Sequence, residues 1–244
     1  GLVTSVPYDF KGNLLASTRQ LTRDCMAQVD WSQTVPLQPR SYHQAMTYDA
    51  LNRVLTQQAP DRSVVEPRYD TSNRICALQV KLRGVAAATA FVTRIDYNAR
   101  GQRQRIDYGN GVSTRYRYDD DSFRLLNLQT CRQDTALQDL HYCYDAAGNI
   151  TRIGDAAQQT VFFRNQSVAA DSDYRYDAIY RLIEASGREH ASHTDSAPSG
   201  CNDAVRSGLL LPGDGQALAR YREHYRYDAA GNLLVLGIHV LVHE

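Results

Sequence analysis

The decamer HYCYDAAGNI at residues 141–150 recurs almost unchanged as HYRYDAAGNL at residues 224–233. In looser form the same unit, Tyr-Asp or Tyr-Asn followed by a turn-like stretch, occurs eight times along the chain. The copies are unevenly spaced, with 21 residues from Tyr48 to Tyr69 but 51 from Tyr176 to Tyr227. Such an array predicts one supersecondary unit repeated with connecting loops of variable length. The copies begin at Tyr8, Tyr48, Tyr69, Tyr97, Tyr118, Tyr144, Tyr176 and Tyr227.

Each copy has the sequence pattern of a β-hairpin. In four copies the entry is Tyr-x-Tyr-Asp, as at Tyr142 and Tyr144, and residues two apart lie on one face of a strand. The Asp suits the first position of a type I turn, because its carboxylate accepts hydrogen bonds from nearby backbone N–H groups. Most copies continue into a short apolar run, such as Leu14 and Leu15. The unit therefore predicts a strand, a tight turn and a second strand.

The third residue after the Asp or Asn of each copy is expected to have a positive φ. A type I turn that closes a hairpin commonly needs a left-handed residue next, which Gly and Asn adopt most easily. Six copies carry Gly or Asn there, whereas two carry Ser122 and Tyr180. At Tyr180 a bulky residue with positive φ costs roughly 1 kcal/mol or more. The eight positions are Gly12, Asn52, Asn73, Gly101, Ser122, Gly148, Tyr180 and Gly231.

A further hairpin is predicted around Gly109-Asn110-Gly111, because alternating residues flank this Asn-Gly turn signal on both sides. No segment shows sustained helical periodicity, and only residues 135–140 (TALQDL) are expected to make a single helical turn. Residues 191–219 are rich in Ser, Gly and Pro and are interpreted as a loop inserted within one repeat region that covers residues 1–244. The predicted fold class is all-β, built from antiparallel hairpins with very little helix.

Composition excludes several function classes. Lys and Arg number 27, against 27 Asp and Glu, so the formal net charge of zero offers no electrostatic footprint for nucleic acid or for an anionic membrane. The aromatic set is dominated by 16 tyrosines against five phenylalanines, as expected for half-buried strands. No apolar run approaches the roughly 20 residues of a spanning helix. No signal peptide is visible, and the chain is interpreted as a piece of a longer protein.

The cysteines are predicted to be free thiols of a protein made in a reducing cytoplasm. They are five in number, widely spaced and without a Cys-x-x-Cys pair, which argues against a disulfide framework and a structural zinc site. They are Cys25, Cys76, Cys131, Cys143 and Cys201.

The motif is identified as the YD repeat of the Rhs family, and its more particular strings resemble the C component of bacterial insecticidal toxin complexes. The likeness runs from about Tyr8 to Leu234. The strings are YDALNRV (residues 48–54), IDYNARGQR (95–103), YGNG (108–111), YDAAGNIT (144–151) and YRLIEASGREH (180–190).

This resemblance implies a β-sheet ribbon that spirals into a hollow shell. The shell is completed by the B component and encloses a toxic C-terminal region, which is delivered through a pore-forming component of the secreted complex. Family members of this kind end the repeat region with an Asp-Pro-Gly-rich block at which the shell cuts its own chain. This sequence has no such block, so neither self-cleavage nor toxicity is assigned to any residue here.

No catalytic, cofactor-binding or metal-binding residue is predicted. Asp49, Asp145 and Asp228 look like catalytic carboxylates only if their turn chemistry is ignored. His190 and His193 are three residues apart in a Ser/Thr-rich stretch and are interpreted as solvated, and the seven histidines lack a metal-ligand spacing. Glycosylation-type sequons begin at Asn149 and Asn165, and the first belongs to a repeat turn.

The sequence is compatible with three functions. The leading hypothesis is a non-enzymatic wall segment that packages a toxin. The alternative is a surface-associated or wall-associated YD-repeat protein whose tyrosine faces bind glycans. The third hypothesis, an enzyme, is supported only by scattered carboxylates. Because the apolar run LLVLGIHVL at residues 233–241 resembles an uncapped edge strand, the chain expressed alone is also expected to associate.

Overall fold

The computed structural model describes residues 1–24, 26, 28–163, 165–190 and 215–241. Among these residues the regular elements are all strands, 18 in number. The prediction of an all-β antiparallel protein is therefore confirmed. The expected helical turn at residues 135–140 is wrong, because these residues begin a long strand that pairs with its neighbour. No helix of the described chain has the length and apolar character needed to cross a membrane.

The chain divides into two compact units, residues Gly1–Ser113 and Thr114–Glu244. In the first unit each strand pairs antiparallel with the next one in sequence. Its strands are β1 (Leu2–Ser5), β2 (Ala16–Thr22), β3 (Leu37–Tyr48), β4 (Val54–Gln58), β5 (Val64–Tyr69), β6 (Ile75–Lys81), β7 (Thr89–Tyr97) and β8 (Arg103–Tyr108).

The second unit follows the same rule with one interruption. Between β12 and β15 the chain leaves the main sheet, forms a separate two-stranded hairpin, and returns so that β15 pairs with β12. The strands are β9 (Val112–Tyr118, at the boundary), β10 (Leu125–Arg132), β11 (Thr135–Tyr144), β12 (Ile150–Asp155), β13 (Val161–Phe163), β14 (Gln166–Val168), β15 (Asp171–Tyr176), β16 (Leu182–His190), β17 (Leu218–Tyr227) and β18 (Leu233–Leu241).

Few side chains are fully buried. In the first unit Val80 and Ile106 are less than 9% exposed, and in the second unit the buried apolar residues cluster where the β13–β14 hairpin meets β17. Among the described residues, Val168 of that hairpin is the largest side chain that is completely buried. Because so little of each sheet is covered, the backbone ladders and the turn contacts carry an unusually large share of the fold's specificity.

One predicted feature lies mostly outside the described residues, and another lies within them. The predicted loop at residues 191–219 falls mostly there, and its last two residues, Leu218 and Ala219, begin β17. The apolar run at the end of the sequence does form a strand, β18, in which Leu233, Leu234, Val235 and Leu236 are 52%, 63%, 47% and 50% exposed. The association expected of the isolated chain stays a prediction.

Candidate functional site: the tyrosine–aspartate turns

The repeat turns have the geometry that the sequence predicts. At Asp49 the backbone N–H of Asn52 donates to the Asp49 carbonyl oxygen at 3.1 Å, and the N–H of Asp49 donates to the carbonyl oxygen of Arg53 at 3.0 Å. Asn52 has a φ of 63°, and the strand register shifts beside it, between Thr47 and Tyr48. This is a type I turn followed by a left-handed residue and a bulge. All six Gly and Asn positions have positive φ, namely Gly12, Asn52, Asn73, Gly101, Gly148 and Gly231.

The two exceptional copies behave differently from each other. Tyr180 has a φ of 64°, so this copy keeps the turn and places a bulky residue in the left-handed region. Its side chain is 62% exposed, so burial does not explain the strained conformation. The expectation for Ser122 is wrong. The turn at Asp119 is one residue longer, with the N–H of Phe123 bonded to the Asp119 carbonyl oxygen, and Phe123 is the residue with positive φ, at 60°.

The turn aspartates are structural acceptors. Asp145 Oδ1 accepts hydrogen bonds from the backbone N–H groups of Gly148 at 2.7 Å and Asn149 at 2.9 Å. Its Oδ2 accepts a bond from Asn149 Nδ2 at 2.7 Å. Asp49 and Asp228 make equivalent sets of bonds within their own turns. These bonds hold the carboxylates against the backbone, which is the role that the turn chemistry predicts.

These bonds lower the pKa of every YD aspartate from its usual value near 3.8. At Asp145 the largest cause is the side-chain bond from Asn149, and at Asp177 it is the bond from the Arg181 backbone N–H. A lowered folded-state pKa means that the folded protein favours the ionised form more than the unfolded chain does. The resulting stabilisation is present above the unfolded pKa and is lost as the pH falls through the folded pKa.

We therefore expect acid to unfold the protein cooperatively. The urea midpoint should be constant near neutral pH and should fall as the pH drops below about 4. In that range the aspartates of the unfolded chain bind protons before those of the folded protein do. Circular dichroism at a series of pH values measures it. Asp145→Asn should lower the midpoint at pH 7 and make it less dependent on pH, because the uncharged amide cannot titrate. A midpoint that stays flat from pH 5 to pH 2 would contradict this account of the turns.

A second set of bonds joins six of the repeats to the repeat before them. The Tyr69 hydroxyl donates to the backbone carbonyl oxygen of Val54 at 2.9 Å, and Val54 is the residue paired with Tyr48 of the preceding hairpin. The same bond recurs in both units, at 2.7–3.1 Å, and in five of the six cases the acceptor is the residue paired with the preceding tyrosine. The donor–acceptor pairs are Tyr48–Leu14, Tyr69–Val54, Tyr97–Ile75, Tyr144–Leu125, Tyr176–Ile150 and Tyr227–Leu182.

The geometry assigns the YD motif two separate duties. The aspartate shapes its own turn, whereas the tyrosine hydroxyl fixes that turn to the neighbouring hairpin. The first duty can be anticipated from the sequence. The second duty was not predicted from the sequence, because the acceptor is a backbone carbonyl, which every residue type carries. Burial raises the pKa of Tyr144 and Tyr176, which keeps these hydroxyls protonated as donors.

The other candidate residues are dispersed. His141 Nε2 lies 3.3 Å from Asp139 Oδ1, and His193 is outside the described residues. Among the described residues no group of three or more His, Cys, Asp or Glu side chains is placed to hold a metal ion. Asn149 bonds within its turn, and Asn165 has a φ of 61° between β13 and β14, a hairpin that the sequence reasoning missed.

The described cysteines are free. They are Cys76, Cys131 and Cys143, of which Cys143 is exposed. Cys25 and Cys201 lie outside the described residues. The absence of catalytic, cofactor and metal residues remains a prediction.

Among known proteins, the chain is similar in sequence to toxin subunits. No family model matches the chain. It is 31% identical over 249 aligned residues to toxin subunit YenC2 of Yersinia entomophaga, an alignment that covers 96% of this chain and 25% of YenC2. It is 33% identical over 192 residues to toxin subunit YenC1 of the same organism, which covers 76% of this chain and 19% of YenC1. The chain thus spans a quarter or less of the length of these relatives.

Solved structures agree. A crystal structure of TcdB2-TccC3-Cdc42 superposes with a TM-score of 0.76 and 28% identity, covering 98% of this chain and 11% of that chain. The Tc holotoxin pore of Photorhabdus luminescens with the TccC3-D651A mutation superposes with a TM-score of 0.74 and 28% identity, with the same coverage. The motifs, the hairpin repeats and these matches converge. The chain belongs to the Rhs/YD-repeat family, as a repeat segment like those of toxin complex C components.

Proposed function

We propose that this segment is part of the wall of a hollow shell that encloses the toxic C-terminal region of a C component. The observation that carries the proposal is the chain of tyrosine hydroxyl bonds between successive hairpins. Each bond uses the tyrosine hydroxyl of the motif to hold two hairpins of the sheet together. A wall needs such bonds, whereas a ligand-binding surface would leave the hydroxyls free for the ligand. The 96% coverage by the alignment with YenC2 supports the same role.

The proposed segment acts without catalysis. The carboxylates of the repeat motif, those of the YD aspartates, are bonded to backbone N–H groups within their turns. Their lowered pKa values keep them ionised at neutral pH, so they are poor proton donors there. The toxic activity belongs, in this proposal, to a different region of the full-length protein.

The proposed partners are those of the related complexes. Solved relatives are described as a TcdB2-TccC3 complex and as a Tc holotoxin pore. By analogy the full-length protein completes its shell with a B component and meets a pore-forming component indirectly, in a secreted complex assembled from proteins made in the bacterial cytoplasm. Neither nucleic acid nor membrane insertion by this segment is part of the proposal.

The glycan-binding alternative is less well supported. Sugar recognition by tyrosine uses an open ring face and a free hydroxyl. In the repeats the hydroxyl of Tyr69 is bonded to Val54, and the Arg53 guanidinium lies 4.7 Å from the Tyr69 ring centroid. Tyr227 is engaged in the same way by Leu182 and by Arg181, which lies 4.9 Å from its ring.

A chimera tests the packaging role. Replacing the matching segment of YenC2 with this chain should give a protein that assembles with its B component and protects the C-terminal region from limited proteolysis. Introducing Gly148→Val into the chimera should expose that region, whereas the control Gly154→Val should leave it protected. An assembled chimera whose C-terminal region is cut as quickly as the free region would count against packaging. Binding of the chain to cell-wall polysaccharide without protection would favour the alternative.

A further inference from the structure

The residue directly after the left-handed residue of each YD turn is of two kinds. Where the left-handed residue is Gly, the next residue is Asn or Gln. Where it is Asn, Phe or Tyr, the next residue is Arg. The first group is Asn13, Gln102, Asn149 and Asn232, and the second is Arg53, Arg74, Arg124 and Arg181.

Both kinds of residue serve their own turn. Asn149 Nδ2 donates to Asp145 Oδ2 at 2.7 Å. In the equivalent copy, Arg181 Nε donates to Asp177 Oδ2 at 2.7 Å. The arginine Nε thus takes the place of the asparagine amide, and the terminal Nη groups of the guanidinium extend beyond the turn.

The terminal nitrogens reach the following repeat in all four arginine copies. Arg53 Nη1 donates to Asn73 Oδ1 at 2.7 Å, and the other three arginines donate to backbone carbonyl oxygens of the next turn at 2.9–3.4 Å. Each guanidinium also lies 4.6–5.6 Å from the ring centroid of the next YD tyrosine, within the range of a cation–π contact. The recipients of these contacts are the turns that begin at Tyr69, Tyr97, Tyr144 and Tyr227.

We infer that this position decides whether a turn is clamped to the next one. Arginine grips the following turn and tyrosine, and in three of the four copies its Nε also bonds the aspartate of its own turn, whereas asparagine bonds its own turn alone. Asn13 is an instructive exception, since its Nδ2 also reaches Asn52 Oδ1 at 3.0 Å. That link requires an asparagine at the next left-handed position. Asn149 is followed there by Tyr180, which offers no such acceptor.

An independent observation points to the same joint. In the second unit, hairpins meet at β10–β11, β12–β15 and β16–β17, and the unclamped joint after Asn149 is β12–β15. It has three paired residues, against six at β10–β11 and seven at β16–β17. The clamped joints β4–β5 and β6–β7 of the first unit have two and three, so the length of the ladder does not by itself distinguish the two kinds of joint. The distinguishing feature is the extra hairpin. The chain between β12 and β15 forms the β13–β14 hairpin, which reaches past this joint to contact β17 and buries Val168 completely. The hairpin thus spans the joint whose turn lacks an arginine clamp, and within that joint Arg152 of β12 pairs with Asp171 and Asp173 of β15.

Exchanging the residue should move the clamp. In the full chain, Asn149→Arg should slow hydrogen exchange in residues 171–181 roughly three- to tenfold, as expected for one cation–π contact and one charged hydrogen bond. The reverse change Arg181→Asn should accelerate exchange around the Asp228 turn by a similar factor. The matched control is Asn232→Arg, because residues 228–244 contain no further YD copy for the guanidinium to reach, and it should change nothing beyond its own turn.

Mass spectrometry of exchanged peptides gives the readout, with circular dichroism to establish that each variant is folded. Unchanged exchange in residues 171–181 of a folded Asn149→Arg variant would overturn the inference, and so would equal slowing there in Asn232→Arg. If Asn149→Arg does not fold, Arg181→Asn serves as the test of the inference. Unaltered exchange at the Asp228 turn would then refute the clamp. The inference concerns contacts between turns and does not depend on the packaging role.

Discussion

Gly148→Val should destabilise the second unit by about 2 to 3 kcal/mol, because it combines a forbidden backbone conformation with a steric conflict. Gly148 has a φ of 108°, which a β-branched residue adopts only with strain. A Cβ atom there would also lie 2.8 Å from Nη2 of Arg124, the side chain that clamps this turn to the preceding hairpin. Moving that guanidinium away breaks the clamp. Urea unfolding followed by circular dichroism measures the loss.

Two comparison variants separate strain from side-chain size. Gly154→Val adds the same side chain within β12 of the same hairpin, where φ is ordinary and no atom lies within 4 Å of the added Cβ, so it should be close to neutral. Tyr180→Gly relieves a strained φ of 64° at an exposed residue and should be neutral or stabilising. A clear loss of stability in Tyr180→Gly would show that its ring has a packing role.

Val168→Asp should undo the β13–β14 hairpin, with a loss of about 3 kcal/mol or more, because it places a carboxylate where no part of the side chain meets water. Val168 is 0% exposed, and its strand contacts β17, at whose start Ala217 and Ala219 are 0% and 5% exposed. None of these offers a polar side-chain partner. The change should lower the melting temperature and expose residues 156–170 to limited proteolysis.

Phe162→Asp is the matched control, since Phe162 lies in the same hairpin but is 80% exposed. It should change the melting temperature little and leave the hairpin resistant to protease. Equal sensitivity of both variants would mean that the hairpin is held by its turn and ladder and that its packing against β17 is unimportant.

The hairpins were predictable because their signals are local. The turn chemistry of Asp49 and the left-handed conformation of Gly148 follow from residue type and position within four residues. The predictions were wrong where the local sequence is compatible with a second backbone conformation. The turn at Asp119 absorbs one extra residue, which moves positive φ from Ser122 to Phe123. Residues 135–140 contain helix-tolerant Ala, Leu and Gln, but pairing with β10 makes them a strand.

The contacts between repeats were not predictable from the sequence in the same way. A tyrosine such as Tyr176 carries no sign of which carbonyl its hydroxyl will meet, since the acceptor, Ile150, lies 26 residues away. Arg181 signals only a positive charge, and its partner is the backbone of Asp228, 47 residues further on. These distances depend on the lengths of the intervening loops, which nothing in the motif encodes. The coupling becomes visible only when neighbouring hairpins are placed side by side.

The use of backbone carbonyls as acceptors has a consequence for how such a chain can change over evolution or be engineered. A hydroxyl that binds any residue's carbonyl places no demand on that residue's identity, and the row of turns lies at one end of the hairpins. The opposite ends are therefore free to vary in length, as the segments 23–36, 82–88 and 156–170 already do. New sequence, even a small folded domain, is best grafted there. The turn positions are more constrained, but a residue that one copy uses at such a position can replace its counterpart in another copy.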